Sequence, residues 1–182
     1  MRANSHEPRL LRWLDSLTEG VGRAIAWLVI VMMLVQFAIV VLRYFLGVNS
    51  IVMQESVMYM HATVFMLGAA WTLKQDGHVR VDIFYRKLSS RARAWVDLLG
   101  TLFLLVPVAL FIAIGSYHYV LTSWTIMERS PNGGIPAVYL LKTLILVMMA
   151  LLLLQAVAQL VRQALIIRGA LPNPTHEHEE IV

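Results

Sequence analysis

Four long apolar runs separated by short polar stretches dominate the hydropathy pattern of this chain. They cover residues 24–42, 51–73, about 96–119 and 137–160. A helix rises about 1.5 Å per residue, so each run is long enough to cross a hydrocarbon core of about 30 Å. The first run closes on Arg43-Tyr44-Phe45, without the small-residue site that would end a cleaved signal peptide, and so reads as an uncleaved first span. Allowing for helix ends, the expected spans are 24–46, 51–73, 95–121 and 137–161, within a membrane domain of residues 21–168. Gly47-Val48-Asn49-Ser50 is so short a connection that the first two spans must form an antiparallel hairpin. Pro107 predicts a kink in the third span, and Pro136 suits the start of the fourth.

The polar stretches carry patterns of their own. Residues 1–20 are polar and basic at first, with Arg2, Arg9 and Arg12, then show Leu10, Leu14, Leu17 and Val21 at helical spacing, and read as an amphipathic lead-in lying on the membrane surface. Between the second and third spans, Val81, Phe84, Tyr85, Leu88, Ala92 and Trp95 fall on one arc of a helical wheel, and Asp82, Arg86 and Lys87 fall elsewhere. That pattern predicts an interfacial helix over about 79–88, bearing His78 and Arg80 at its start, with Ser89 or Ser90 capping the span that follows. His78 and Asp82, four residues apart, brace this helix rather than bind an ion. Residues 128–136 are too rich in Ser, Pro, Asn and Gly to be helical throughout, and 169–182 read as a polar, disordered tail.

Composition fixes the class. With 59% hydrophobic and 14% charged residues, a chain of 182 residues has more apolar surface than one soluble core can hide. The fold class is therefore an all-α integral membrane protein of four transmembrane helices, with a cytoplasmic amphipathic helix between the second and third. The absence of cysteine removes disulfides, thiolate metal sites and a cysteine nucleophile. The net charge of +4 does not point to nucleic acid, because the basic residues gather beside the spans. Twelve of them flank the two termini and the central segment, against Arg43, Arg129 and Lys142 on the other face, which places both termini in the cytoplasm.

Ionisable residues at membrane depth are the candidates for function. Arg43, Glu55, Glu128 and Lys142 all fall at the non-cytoplasmic ends of their spans. They form either a patch that meets a partner or an internal ion-pair set, and the short hairpin predicts that Arg43 pairs with Glu55. His61 and His118 raise the alternative of a four-helix b-type cytochrome anchor subunit. His61 lies about 15 Å into the second span and His118 near the outer end of the third, depths that do not suit one haem, so a histidine hydrogen-bonded inside the bundle is expected instead. His176 and His178 belong to a solvated acidic tail. No catalytic arrangement or phosphate loop is present, and neither a metal nor a cofactor is expected. Four spans without a mid-membrane Gly/Pro break, apart from Pro107, also do not suit a complete secondary transporter.

The ordered set Gln36, Arg43-Tyr44-Phe45, Ser50, Gln54-Glu55, Gly68-Ala69-Ala70, Lys74, Gly77 to Asp82, then Leu88, Arg91 and Arg93 resembles the small membrane subunit of the tripartite ATP-independent periplasmic (TRAP) transporters. The likeness is close over about residues 30–100. It implies a large membrane subunit that holds the substrate and sodium sites, a periplasmic substrate-binding protein that delivers an organic anion, often a carboxylate, and a location in the bacterial inner membrane. It also implies a scaffold rather than an enzyme, in contact with phospholipids. Arg43, Glu55, Glu128 and Lys142 then face the periplasm as candidates for intersubunit or docking contacts.

Overall fold

The computed structural model describes residues 8–75, 77 and 88–171, which contain helices and no strand. The helices are α1 (Arg9–Leu46), α2 (Ile51–Lys74), α3 (Ser90–Gly100), α4 (Val106–Thr125) and α5 (Val138–Ile167), with a π turn over Thr101–Leu105 between α3 and α4. Among the described residues, four segments are long and apolar enough to cross a membrane: Leu11–Leu46, Ile51–Lys74, Ser90–Thr125 and Val138–Ile167. The expected interfacial helix, with His78, Arg80, Asp82, Phe84, Tyr85, Arg86 and Lys87, lies outside the described residues, as do 1–7 and most of the tail.

Local chemistry sets the helix ends. α1 stops at Gly47, whose φ of 67° is costly for a residue with a Cβ, and Val48 N–H donates back to the Leu42 carbonyl at 3.0 Å. Ser50 caps α2 by accepting from Met53 N–H, and Ser89 caps α3 by accepting from Ala92 N–H, each at 3.4 Å. The interruption expected at Pro107 takes the form of the π turn just before it. Proline offers no N–H and its ring crowds the carbonyl four residues back, and a wide turn, in which Val106 N–H donates to Thr101, accommodates both.

Helix α5 is the hub. α1 and α2 form the hairpin and both pack on α5, and α3, the π turn and α4 pack on α5 as well. Small residues permit the close approach, with Ala156 and Ala158 of α5, Ala70 of α2, Ala94 of α3 and Ala109 of α4 all buried. Gly22 of α1 lies so close under the Trp71 ring that a Cβ there would overlap it. The outward faces carry Phe37, Phe65, Phe103 and Phe111, each at least two-thirds exposed, an apolar surface of the kind hydrocarbon covers.

The lead-in differs from its expectation. Helix α1 is continuous for 38 residues, about 57 Å, and so extends well beyond a 30 Å core. Its first turns do not lie on a separate surface: Leu11 and Leu14 are buried with Ala158, against Val161 and Leu165 of α5. The buried stripe runs through Leu11, Leu14, Thr18 and Ile25; it shares Leu14 with the stripe read in the sequence but has Leu11 and Thr18 where that reading had Leu10 and Leu17. Thr18 and its neighbour Asp15 turn inward because both find polar partners there.

Candidate functional site

Polar side chains inside the bundle gather at its two ends. At the hairpin end, Glu55 sits one turn into α2 and is 8% exposed. Its carboxylate accepts from the Ser130 hydroxyl and from the Ile135 N–H, the latter at 2.7 Å. Gly134 lies directly against that carboxylate, so closely that any Cβ would overlap it. The loop between α4 and α5 is thus folded over the Glu55 side chain, and its glycine and serine content is what lets backbone and hydroxyl come near enough.

A second clasp joins the two ends of the same loop. Lys142 donates to Glu128 at 2.5 Å and lies 3.9 Å from the centre of the Tyr119 ring. Ser123 donates to the same Glu128 oxygen at 2.6 Å. The Lys142 ammonium and then the Ser123 hydroxyl hold the Glu128 carboxyl below the ordinary carboxylate range. Trp124 adds a hydrogen bond from Nε1 to the Thr143 hydroxyl at 2.9 Å and packs on Tyr139. Met127, between these contacts, is held at a φ of 44°, a conformation that a non-glycine residue keeps only where its surroundings impose it.

The opposite end carries a cluster that the sequence reading missed. Arg162 of α5 pairs with Asp15 of α1 at 2.5 Å. Lys74 of α2 pairs with Glu19 at 2.8 Å, donates to the Asp15 carbonyl at 3.0 Å and lies 3.9 Å from the Asp15 carboxylate. One helical turn further along α1, the Thr18 hydroxyl lies 3.1 Å from Gln155 Oε1. Together these contacts join α1, α2 and α5. The available signal was the Asp15–Glu19 pair, two acids four residues apart in an otherwise basic lead-in. Lys74 and Arg162 carried weight in the topology count, which concealed their role as ion-pair partners.

The candidates read from the sequence therefore divide. Glu55, Glu128 and Lys142 lie at one end of the bundle, as expected, and are satisfied within the chain. Arg43 does not pair with Glu55: it is exposed and makes no ion pair among the described residues, because the α4–α5 loop supplies the donors that Glu55 needs. His61 and His118 are both exposed, not hydrogen-bonded inside the bundle. They stand on α2 and α4, which are joined through α5, and this spacing does not fit a shared haem.

Membrane-length helices with apolar outward faces, joined by ion pairs near both ends, define a small multi-pass membrane protein. The family model described as "Tripartite ATP-independent periplasmic transporters, DctQ component" matches residues 32–165, and the chain belongs to that family, the small membrane component of TRAP transporters. The family is a transporter component, which assembles with a large membrane subunit and a binding protein. No curated protein and no solved structure matches the chain.

Proposed function

We propose that this small permease subunit is the static scaffold and membrane anchor of its complex, in which a sodium gradient drives uptake of organic anions, carboxylates among them. The large membrane subunit moves the substrate, and a periplasmic protein delivers it. On this reading the protein lies in the bacterial inner membrane with both termini cytoplasmic, the side favoured by its basic residues. The hairpin end then faces the periplasm. There Arg43 and the loop held by Glu55, Glu128 and Lys142 are candidates for contacts with the large subunit or the binding protein, and basic residues at the other end meet phospholipid headgroups.

The observation that carries the scaffold reading is the pair of end clusters. Glu55 and the Glu128–Lys142 pair fix α2, α4 and α5 at one end, and Asp15, Lys74 and Arg162 fix α1, α2 and α5 at the other. These ion pairs are partly buried, and such pairs contribute little net stability while breaking one is costly, so they favour a single arrangement of the helices. A covalent lock tests this. The chain has no cysteine of its own, so Glu128→Cys with Lys142→Cys is joined by a short reducible bis-thiol linker in the assembled transporter. Uptake is expected to survive linking. Uptake that stops on linking and returns on reduction would show that this end must move.

A further inference from the structure

The charged groups of both end clusters are paired within the chain, with Asp15 Oδ1 left 3.9 Å from Lys74 and without a hydrogen bond, so these clusters offer little to a partner. Exposed polar groups at membrane depth lie elsewhere. His61 is exposed on α2 and has no side-chain hydrogen bond among the described residues; its ring rests against Phe65, with centroids 5.1 Å apart. It stands ten residues from the start of α2 at Ile51, about 15 Å below the hairpin end and near mid-membrane. Gln54, Met58, His61 and Phe65 are all exposed and follow one another at helical spacing, so they form a single stripe on the α2 surface.

A second unpartnered group lies nearby in depth. Gln36 of α1 is exposed without a side-chain hydrogen bond among the described residues. It is ten residues from the end of α1 at Leu46, so measured from the hairpin it also lies about 15 Å deep. Measured from the other end, where Gly22 meets Trp71, Gln36 is about 21 Å and His61 about 15 Å towards the hairpin. Both measures place the two within about one helical turn of each other in depth. An imidazole and a carboxamide facing hydrocarbon have nothing to bond, because acyl chains neither donate nor accept. Arg43 differs: it lies near the hairpin end, where a long side chain reaches the headgroups.

We propose that the stripe on α2 centred on His61, with Gln36 of α1 at nearly the same depth, is the seat of a transmembrane helix of the large subunit that presents hydroxyl, carboxamide or carboxyl groups at mid-membrane. The inference rests on the assignment of the chain as the small subunit. It centres the intramembrane interface on the unpartnered polar groups of α1 and α2 rather than on the outer face of α4, where Phe111 and Ile114 are about three-quarters exposed and the exposed His118 stands only seven residues from the helix end. Polar side chains join helices in membranes because the lipid offers them no other partner.

The test uses the two membrane subunits expressed together. A photo-crosslinking residue at Met58, beside His61, is expected to capture the large subunit, and the same residue at Phe111 is expected to capture lipid. His61→Leu is expected to weaken assembly by about three- to thirty-fold, the equivalent of one interhelical hydrogen bond, with His61→Asn restoring part of it. Leucine on a lipid-facing surface inserts more readily than histidine, so unchanged helicity in that variant separates lost assembly from lost folding. Capture of lipid or of a second copy of this chain at Met58, or undiminished assembly of His61→Leu, would overturn the inference and leave the subunit assignment standing. Failure of the unmodified chain to associate with the large subunit would overturn both.

Discussion

Glu55→Ala removes the acceptor of two hydrogen bonds, from the Ser130 hydroxyl and the Ile135 N–H, on a carboxylate that is 8% exposed. Hydrogen bonds to a charged group are worth about 1.5–3 kcal/mol each, but the alanine variant also no longer keeps a charge out of water, so the net loss is about 2–3 kcal/mol. The loss is local, because the loop is tied to α2 through this side chain. Amide exchange in a peptide spanning 128–137 is therefore expected to accelerate about thirty- to a hundred-fold in nanodiscs, since each 1.4 kcal/mol is tenfold. Glu55→Gln keeps one oxygen to accept from Ile135 and an amide that donates to Ser130, so it costs about 1 kcal/mol, or roughly fivefold. Arg43→Ala leaves exchange in the loop unchanged, because Arg43 is not a partner of Glu55. Equal effects of Gln and Ala at position 55, or acceleration by Arg43→Ala matching that of Glu55→Ala, would refute this account of the clasp.

Three further outcomes follow from the same contacts. Gly22→Ala places a methyl group into the Trp71 ring, and it is expected to destabilise the α1–α2 pair by about 1–3 kcal/mol in reversible detergent unfolding. Asp15→Ala leaves Arg162 and Lys74 facing each other without a shared carboxylate and is expected to cost about 3 kcal/mol in the same assay. Glu19→Ala, whose side chain is 44% exposed, is expected to cost less than about 1 kcal/mol. The Glu128 carboxyl titrates below its ordinary value of 4.5, so the stability it contributes is fully present above that pH and is lost as the pH falls through the lower, folded-state value. An acid titration of loop exchange is expected to show that loss in the native chain and a smaller one in Lys142→Met, where the Ser123 hydroxyl still donates to the carboxylate.

Much of the architecture was legible because it is local. Four apolar runs, a four-residue hairpin, the serine cap at Ser89 and a proline in the third span each fix a piece of structure from neighbouring residues. The depth of Glu55, Glu128 and Lys142 was legible for the same reason, since it follows from counting along helices. Their partners were not. Glu55 bonds to Ser130 and Ile135, and Asp15 bonds to Arg162, across separations that only the packing of whole helices on α5 decides. The hairpin made Arg43 look like the natural partner of Glu55 because a short turn brings them near in depth. It did not reveal that the loop between α4 and α5 covers the carboxylate. His61 was misplaced by a similar inference. Hydropathy marks it as costly in a membrane, but not whether it faces the bundle or the outside.

The central claim is that this chain anchors a transporter and moves nothing by itself. Its most direct test is uptake of a radiolabelled organic anion into proteoliposomes under an inward sodium gradient, with this chain alone, with the large subunit added, and with the binding protein added as well. The account predicts no uptake above empty liposomes for this chain alone, and uptake when all three components are present. Sodium-driven uptake by this chain alone would contradict it.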